Sequence, residues 1–285
     1  MKQRLIFILS LIALNAFAQQ PDTTKAKKPW THSLAGGLNL TQISFNDNWA
    51  QGGENALAYA VNLLGKAAND LPKTNWTTSY KFAFGQTKLG GGSIRKADDK
   101  IDLETLLTYK LDTYVNPYVA ATLKTQFAKG FDYSTNPKTA VSKFFDPGYL
   151  TQSAGLGYQP IPQLKTRLGA ALREVITSEF VGYSDDPKTA KIEKSKVEGG
   201  LESVTEVNWQ LQSNLLFTGK VELFDPFKDL EKVVVRSDNT LAAKVSKYVS
   251  VNFNVQVIKE PGENVSQGKT QVKQALAIGL SYTFL

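Results

Sequence analysis

The chain has 285 residues, no cysteine, a single histidine and a formal net charge of +7. The missing thiols exclude a disulfide framework and thiolate metal sites, and one imidazole excludes a metal centre built from clustered histidines. The basic excess is modest and spread along the chain, so no nucleic-acid partner is expected, and no cofactor either.

Residues 1–18 have the three-part layout of a secretory signal peptide. Lys2 and Arg4 precede an apolar run from Leu5 to Leu14, and Ala16-Phe17-Ala18 sets small residues at the two cleavage-site positions. The run is too short to span a bilayer as a helix. Its removal takes away Lys2 and Arg4, and the formal charge falls from +7 to +5. Residues 19–30 carry Lys25, Lys27 and Lys28 among prolines and polar side chains, and they read as a disordered periplasmic lead-in. No later stretch approaches the ~18 consecutive apolar residues of a membrane helix.

From residue 31 onward the chain alternates apolar and polar side chains in short segments, the period of a strand with two unlike faces. The segments are Ser33–Phe45, Asn55–Ala68, Asn75–Lys88, Lys100–Leu111, Pro117–Gly130 and Tyr149–Gln159. They continue with Leu164–Thr177, Ser195–Trp209, Gln212–Leu223, Lys232–Lys247, Val249–Ile258 and Val272–Leu285. The tenth is interrupted by Ser237-Asp238-Asn239. The eleventh is the cleanest, with Val249, Val251, Phe253, Val255 and Val257 against Ser250, Asn252, Asn254 and Gln256. In the last, Leu276, Ile278, Leu280, Tyr282 and Phe284 alternate with Ala277, Gly279, Ser281 and Thr283. A soluble half-buried strand would expose charges, so the continuous bulky face is expected to meet lipid, as in a transmembrane β-barrel.

The connections alternate in length. Short joints are expected at 70–73, at 112–116, at Pro160-Ile161-Pro162, around Asn208-Trp209 and around Lys247-Tyr248. Longer ones are expected at 46–54, 90–99, 132–147, 180–194, 225–231 and 260–270. Tight periplasmic turns alternating with longer external loops are the layout of an outer-membrane barrel. Trp76, Tyr109, Tyr114, Tyr118, Tyr158, Trp209, Tyr248 and Tyr282 fall near the short joints. Phe45, Trp49, Phe131, Phe144, Phe145, Phe180, Phe224 and Phe227 fall near the long ones, so two interfacial belts are expected. The fold class is therefore an all-β, up-and-down antiparallel transmembrane barrel of about 12 strands over residues 31–285, monomeric and set in outer-membrane lipid.

The run Ile43-Ser-Phe45-Asn-Asp-Asn48-Trp49-Ala-Gln51-Gly52-Gly53-Glu54-Asn55 resembles the signature of an exported Bacteroidota family known only as domain of unknown function 3078. The resemblance takes in nearly all of the chain from about Trp30 onward. It implies an outer-membrane barrel in a Gram-negative cell and supplies no activity.

The inward charges are the most chemical feature. Lys165, Arg167 and Arg173 are expected to face Glu198, Glu202 and Glu206 on the next strand, with Lys220 and Glu222 nearby. Such a cluster serves either as a constriction that selects solutes by charge or as a plug of mutually satisfied side chains. Trp49, Gln51, Gly52 and Gly53 form a candidate mouth loop, either folding in to meet a ligand or making a tight connection anchored by Trp49. His32, the only candidate imidazole base for a membrane phospholipase, lies in the lead-in before the first strand and reads as incidental. Asp98-Asp99 and Asp185-Asp186 read as solvated loop residues without calcium-loop spacing, and Gly90-Gly91-Gly92 as a turn rather than a phosphate loop. The expected function is a non-enzymatic barrel passing small polar solutes through a narrow channel, with any open space beside the small face of the last strand. The alternative is an accessory barrel that binds another envelope protein through its external loops.

Overall fold

Hydrogen-bonding between the first and last strands closes the chain on itself. Ala35 to Asn39 pair antiparallel with Thr283 back to Gly279. The computed structural model describes residues 30–44, 54–133, 135–186, 188–260 and 269–284. The expected signal peptide, the expected lead-in up to residue 29 and the candidate mouth loop with Trp49, Gln51, Gly52 and Gly53 lie outside these residues.

The strands are β1 (Thr31–Ile43), β2 (Ala56–Asp70), β3 (Thr74–Leu89), β4 (Arg95–Tyr109), β5 (Val115–Thr125), β6 (Gly130–Asp132) and β7 (Thr139–Ser142). They continue as β8 (Gly148–Ile161), β9 (Leu164–Ile176), β10 (Ser195–Gln212), β11 (Leu215–Pro226), β12 (Val234–Lys244), β13 (Val249–Lys259) and β14 (Gln271–Thr283). Twelve of them form one closed barrel in the order β1-β14-β13-β12-β11-β10-β9-β8-β5-β4-β3-β2, and every pairing is antiparallel. The small hairpin β6–β7 stands apart inside the connection from β5 to β8. Closure gives each of the twelve barrel strands a neighbour on both sides, with the seam between β1 and β14 confined to Ala35–Asn39 and Gly279–Thr283.

The period-two alternation sorts side chains as expected. Val119, Leu156, Leu168, Leu172, Leu276, Ile278 and Leu280 stand exposed on the outer wall, with Leu276 reaching 73%. At the short-turn end Trp30, Trp76, Tyr109, Tyr114, Tyr158, Trp209, Tyr248, Tyr282 and Phe284 make an exposed aromatic ring around the barrel. Trp30 packs edge-on against Trp76 at 5.6 Å, and Tyr282 bridges Tyr248 (6.3 Å) and Phe284 (4.9 Å).

Several details differ from the sequence expectation. The joint between β10 and β11 is Ser213-Asn214, several residues beyond Asn208-Trp209, because two turn-forming side chains sit there. β4 begins at Arg95, so the connection from β3 shrinks to 90–94 and Asp98-Asp99 enter a strand. His32 belongs to β1, paired with Ala67, rather than to a lead-in. Ser237-Asp238-Asn239 does not interrupt β12; Asp238 turns inward, while Asn239 Nδ2 donates to Ser237 Oγ at 2.6 Å so that neither polar group is left unmatched. Tyr118 and Phe224 are not belt residues. They are 4% and 5% exposed and sit inside the barrel.

Burial inside the barrel is lopsided. Tyr118, Thr122, Ser153, Arg167, Ala171, Val175, Glu202 and Val204 are all buried, and all lie on β5, β8, β9 or β10. β1, β2, β13 and β14 contain no buried residue. The filled side is made possible by two glycines opposite each other, Gly155 and Gly169. A Cβ on Gly169 would come within 2.6 Å of the Tyr118 hydroxyl and 2.7 Å of the Ala154 carbonyl carbon, so the tyrosine lies flat over space that only glycine leaves free. We expect Gly169→Val to destabilise the barrel by about 1–3 kcal/mol in urea titrations of the lipid-reconstituted protein. Gly157→Val, whose added carbon would meet its nearest neighbour at an ordinary 3.5 Å, should cost little.

Candidate functional site

The charged side chains that point inward pair with neighbours on one wall and also join opposite walls. Glu104 on β4 accepts a hydrogen bond from Arg167 on β9 at 2.6 Å and another from Lys220 on β11, five strands away around the barrel. Lys124 on β5 binds Glu222 on β11, and Lys220 reaches Glu222 at 2.9 Å and Glu206 at 3.9 Å. Asp238 on β12 takes Lys81 of β3 at 2.7 Å and Lys100 of β4 at 2.9 Å; β4 and β12 are diametrically opposed. These bonds draw a chord through the lumen from β3 and β4 to β11 and β12.

Arg173 carries the same pattern toward the long-loop end. It binds Glu260, just beyond β13, lies 3.7 Å from Glu198 and stacks near the rings of Tyr149 (5.4 Å) and Phe224 (5.8 Å). Arg236 holds the other oxygen of Glu260 at 2.8 Å. Burial opposes ionisation of Glu260, but the two guanidiniums outweigh it and hold the carboxyl below its ordinary range.

The structure brings the expected cluster together but with different partners. Arg167 sits opposite Val204 in register, while Glu202 faces Gly169, so the neighbouring-strand pairing of Arg167 with Glu202 does not form. Its Nε and Nη2, and Glu202 Oε2, are buried without a hydrogen-bond partner among the described residues. Lys165 is opposite Glu206 in register and lines a cavity at the short-turn end, while Glu198 is held by Lys196 at 2.6 Å. The members that sequence reading left out of the cluster are Lys81, Lys100, Glu104, Lys124, Arg236, Asp238 and Glu260. Their signal was the parity of each strand, which put them inward; which of them meet depends on the closed barrel's radius and register.

Beside the chord the lumen is open. A cavity of about 890 Å³ runs along β13, β14, β1, β2 and β3. Its lining extends from Ser213, Asn214 and Lys247 at the short turns to Thr41, Gln86, Asp98 and Gln256 toward the long-loop end. Its wall is small or neutral: Gly36, Gly37, Ala58, Ala60, Ala275, Ala277 and Ser281 leave the room. Asn254 is fixed by bonds to Asp238 Oδ1 (2.7 Å) and Thr240 Oγ1 (2.8 Å), and Gln256 donates to Asn254 at 3.0 Å. On the other side of the chord the space is a separate cavity of about 440 Å³ at the short-turn end, bounded inward by Glu104, Arg167 and Val204.

Residues 40–131 match a family described as protein of unknown function (DUF3078). The match is narrower than the resemblance from Trp30 onward suggested. No curated protein matches the chain. Among solved structures the chain is similar to the NanC porin, at 11% identity over 88% of this chain and 98% of that one, with a TM-score of 0.38. It is similar to the translocator domain of the autotransporter NalP from Neisseria meningitidis, at 11% identity over 92% and 90%, TM-score 0.37. An outer membrane channel from Pseudomonas putida F1 aligns at 9% identity over 93% and 98%, TM-score 0.40.

Because Glu104 engages two cations at once, its loss should be felt widely. Glu104→Gln leaves Arg167 buried without an anion and should destabilise the barrel by about 3–5 kcal/mol in urea titrations. Adding Arg167→Met removes the stranded charge, and the double variant should recover most of that loss.

Proposed function

We propose that the chain is a non-enzymatic, monomeric outer-membrane barrel, exported with its first 18 residues removed, that passes small polar solutes. The apolar outer wall and the aromatic ring at the short-turn end support the membrane setting, with short turns facing the periplasm. One observation supports passage above all: the 890 Å³ cavity lies beside the ion-pair chord and is lined by residues from near both ends of the strands. The chord fills part of the lumen and stiffens it; the small-residue wall beside it leaves a narrow route. Solute size would be limited by that half of the barrel alone.

Conductance in planar bilayers tests this reading. The purified protein should give discrete steps above detergent controls, and a silent preparation of folded protein would sink the idea. Ala60→Trp, on the open side, should remove most of the single-channel conductance. Ser153→Val, on the filled side, should leave it unchanged.

A second reading has its own observation. The buried Asp146 carboxylate accepts from the backbone N–H groups of Ser178 (3.0 Å) and Glu179 (2.7 Å), tying together the connections after β5 and β9. Phe144 and Ile192 stand exposed on that assembly, a surface suited to another envelope protein. Recovery of a stoichiometric partner from native membranes, lost on deleting residues 180–194, would support it; a clean pull-down would count against it.

A further inference from the structure

The open cavity carries more lysines than carboxylates, whereas the filled side mixes glutamates with the cations that engage them. On the filled side Glu202 is buried, and Glu104, Glu206 and Glu222 are all engaged by Lys220 or Arg167. The open cavity is lined by five lysines and only two aspartates. Asp238 is shared between Lys81 and Lys100, and Lys100 also lies 3.9 Å from Asp102, so two lysines balance two aspartates there. Asp98 is matched by Lys273 at 2.8 Å and adds none.

Two lysines remain, and their position matters. Lys244 ends β12, and Lys247 lies in the turn to β13; both are exposed and both line the cavity at the short-turn end. Neither takes part in an ion pair among the described residues, whose ion pairs are confined to other lysines and arginines. Two positive charges are therefore unbalanced at one end of a route whose other lining groups are mostly amides, hydroxyls and apolar side chains.

In a narrow passage with low-dielectric walls, fixed charge acts strongly on mobile ions. The screening length at physiological salt is about 8 Å, comparable with the reach of a lysine across such a space. An ion passing between the amide ladder of β13 and the small face of β14 would come within range of these ammonium groups at the short-turn end.

We infer that the route beside the closing strand selects small anionic solutes, with Lys244 and Lys247 forming a cationic mouth at the short-turn end. This deepens the channel reading above and rests on it. The chemistry favoured is a compact solute bearing carboxylate or phosphate groups, drawn by fixed ammonium groups and handed along neutral amide donors.

Reversal potentials in planar bilayers under a potassium chloride gradient test it, with chloride as the probe anion. Chloride should be preferred over potassium severalfold, and the preference should shrink as total salt rises. The Lys244→Glu, Lys247→Glu double variant should reduce or invert it. The milder Lys244→Gln, Lys247→Gln pair should lower it without disturbing folding, and Lys143→Glu in an external connection should leave it alone. Conductance with potassium preferred, or with no preference, would overturn the inference while leaving the channel reading intact. So would a chloride preference indifferent to Lys244 and Lys247. A folded protein with no conductance would overturn both.

Discussion

Glu104 and Asp238 each hold two cations that come from distant strands, and this double grip organises the interior of the barrel. A closed barrel satisfies its backbone by itself, so the lumen is the one place where side chains decide what the protein contains. A buried carboxylate facing two ammonium or guanidinium groups cannot lose either without stranding a charge. The chord is therefore fixed from both walls at once. Everything on the β5–β10 side packs against it, including Tyr118 over its glycines and the buried Arg167.

The same chord explains the asymmetry of the space. Long lysine and arginine side chains on β3, β4, β9, β11 and β12 consume the middle of the lumen. Opposite them, Gly36, Gly37, Ala275 and Ala277 project almost nothing. Glu104, Glu206 and Glu222 lie on the packed side against cations, whereas Lys244 and Lys247, without an ion pair among the described residues, lie along the free side. Packed charges and open space, which the sequence offered as rival readings of the cluster, occupy different halves of one barrel.

Outside, the constraint is different and more uniform. Large apolar side chains at every second position build the wall, and aromatics crowd one rim. Where polar residues do face outward, as at Ser237 and Asn239, they bond to each other. That local solution is why the middle of β12 survives a triplet that looked like a turn.

Strand number, alternation and the inward set of each segment were legible in the sequence because a period of two needs no knowledge of the partner strand. So was the small inner face of the last strand, and the cavity does lie along it. The lengths of β4 and β10, the inward turn of Phe224 and the identity of each ion-pair partner were not, because they depend on register and closure. Neighbours in sequence are neighbours in a meander, so Arg173 does face Glu198 and Lys165 stands opposite Glu206, while Arg167 turns to Glu104 instead. Only the closed cylinder brings β4 within reach of β11 and β12, and that curvature decides which charges are buried together and which lysines are left facing open space.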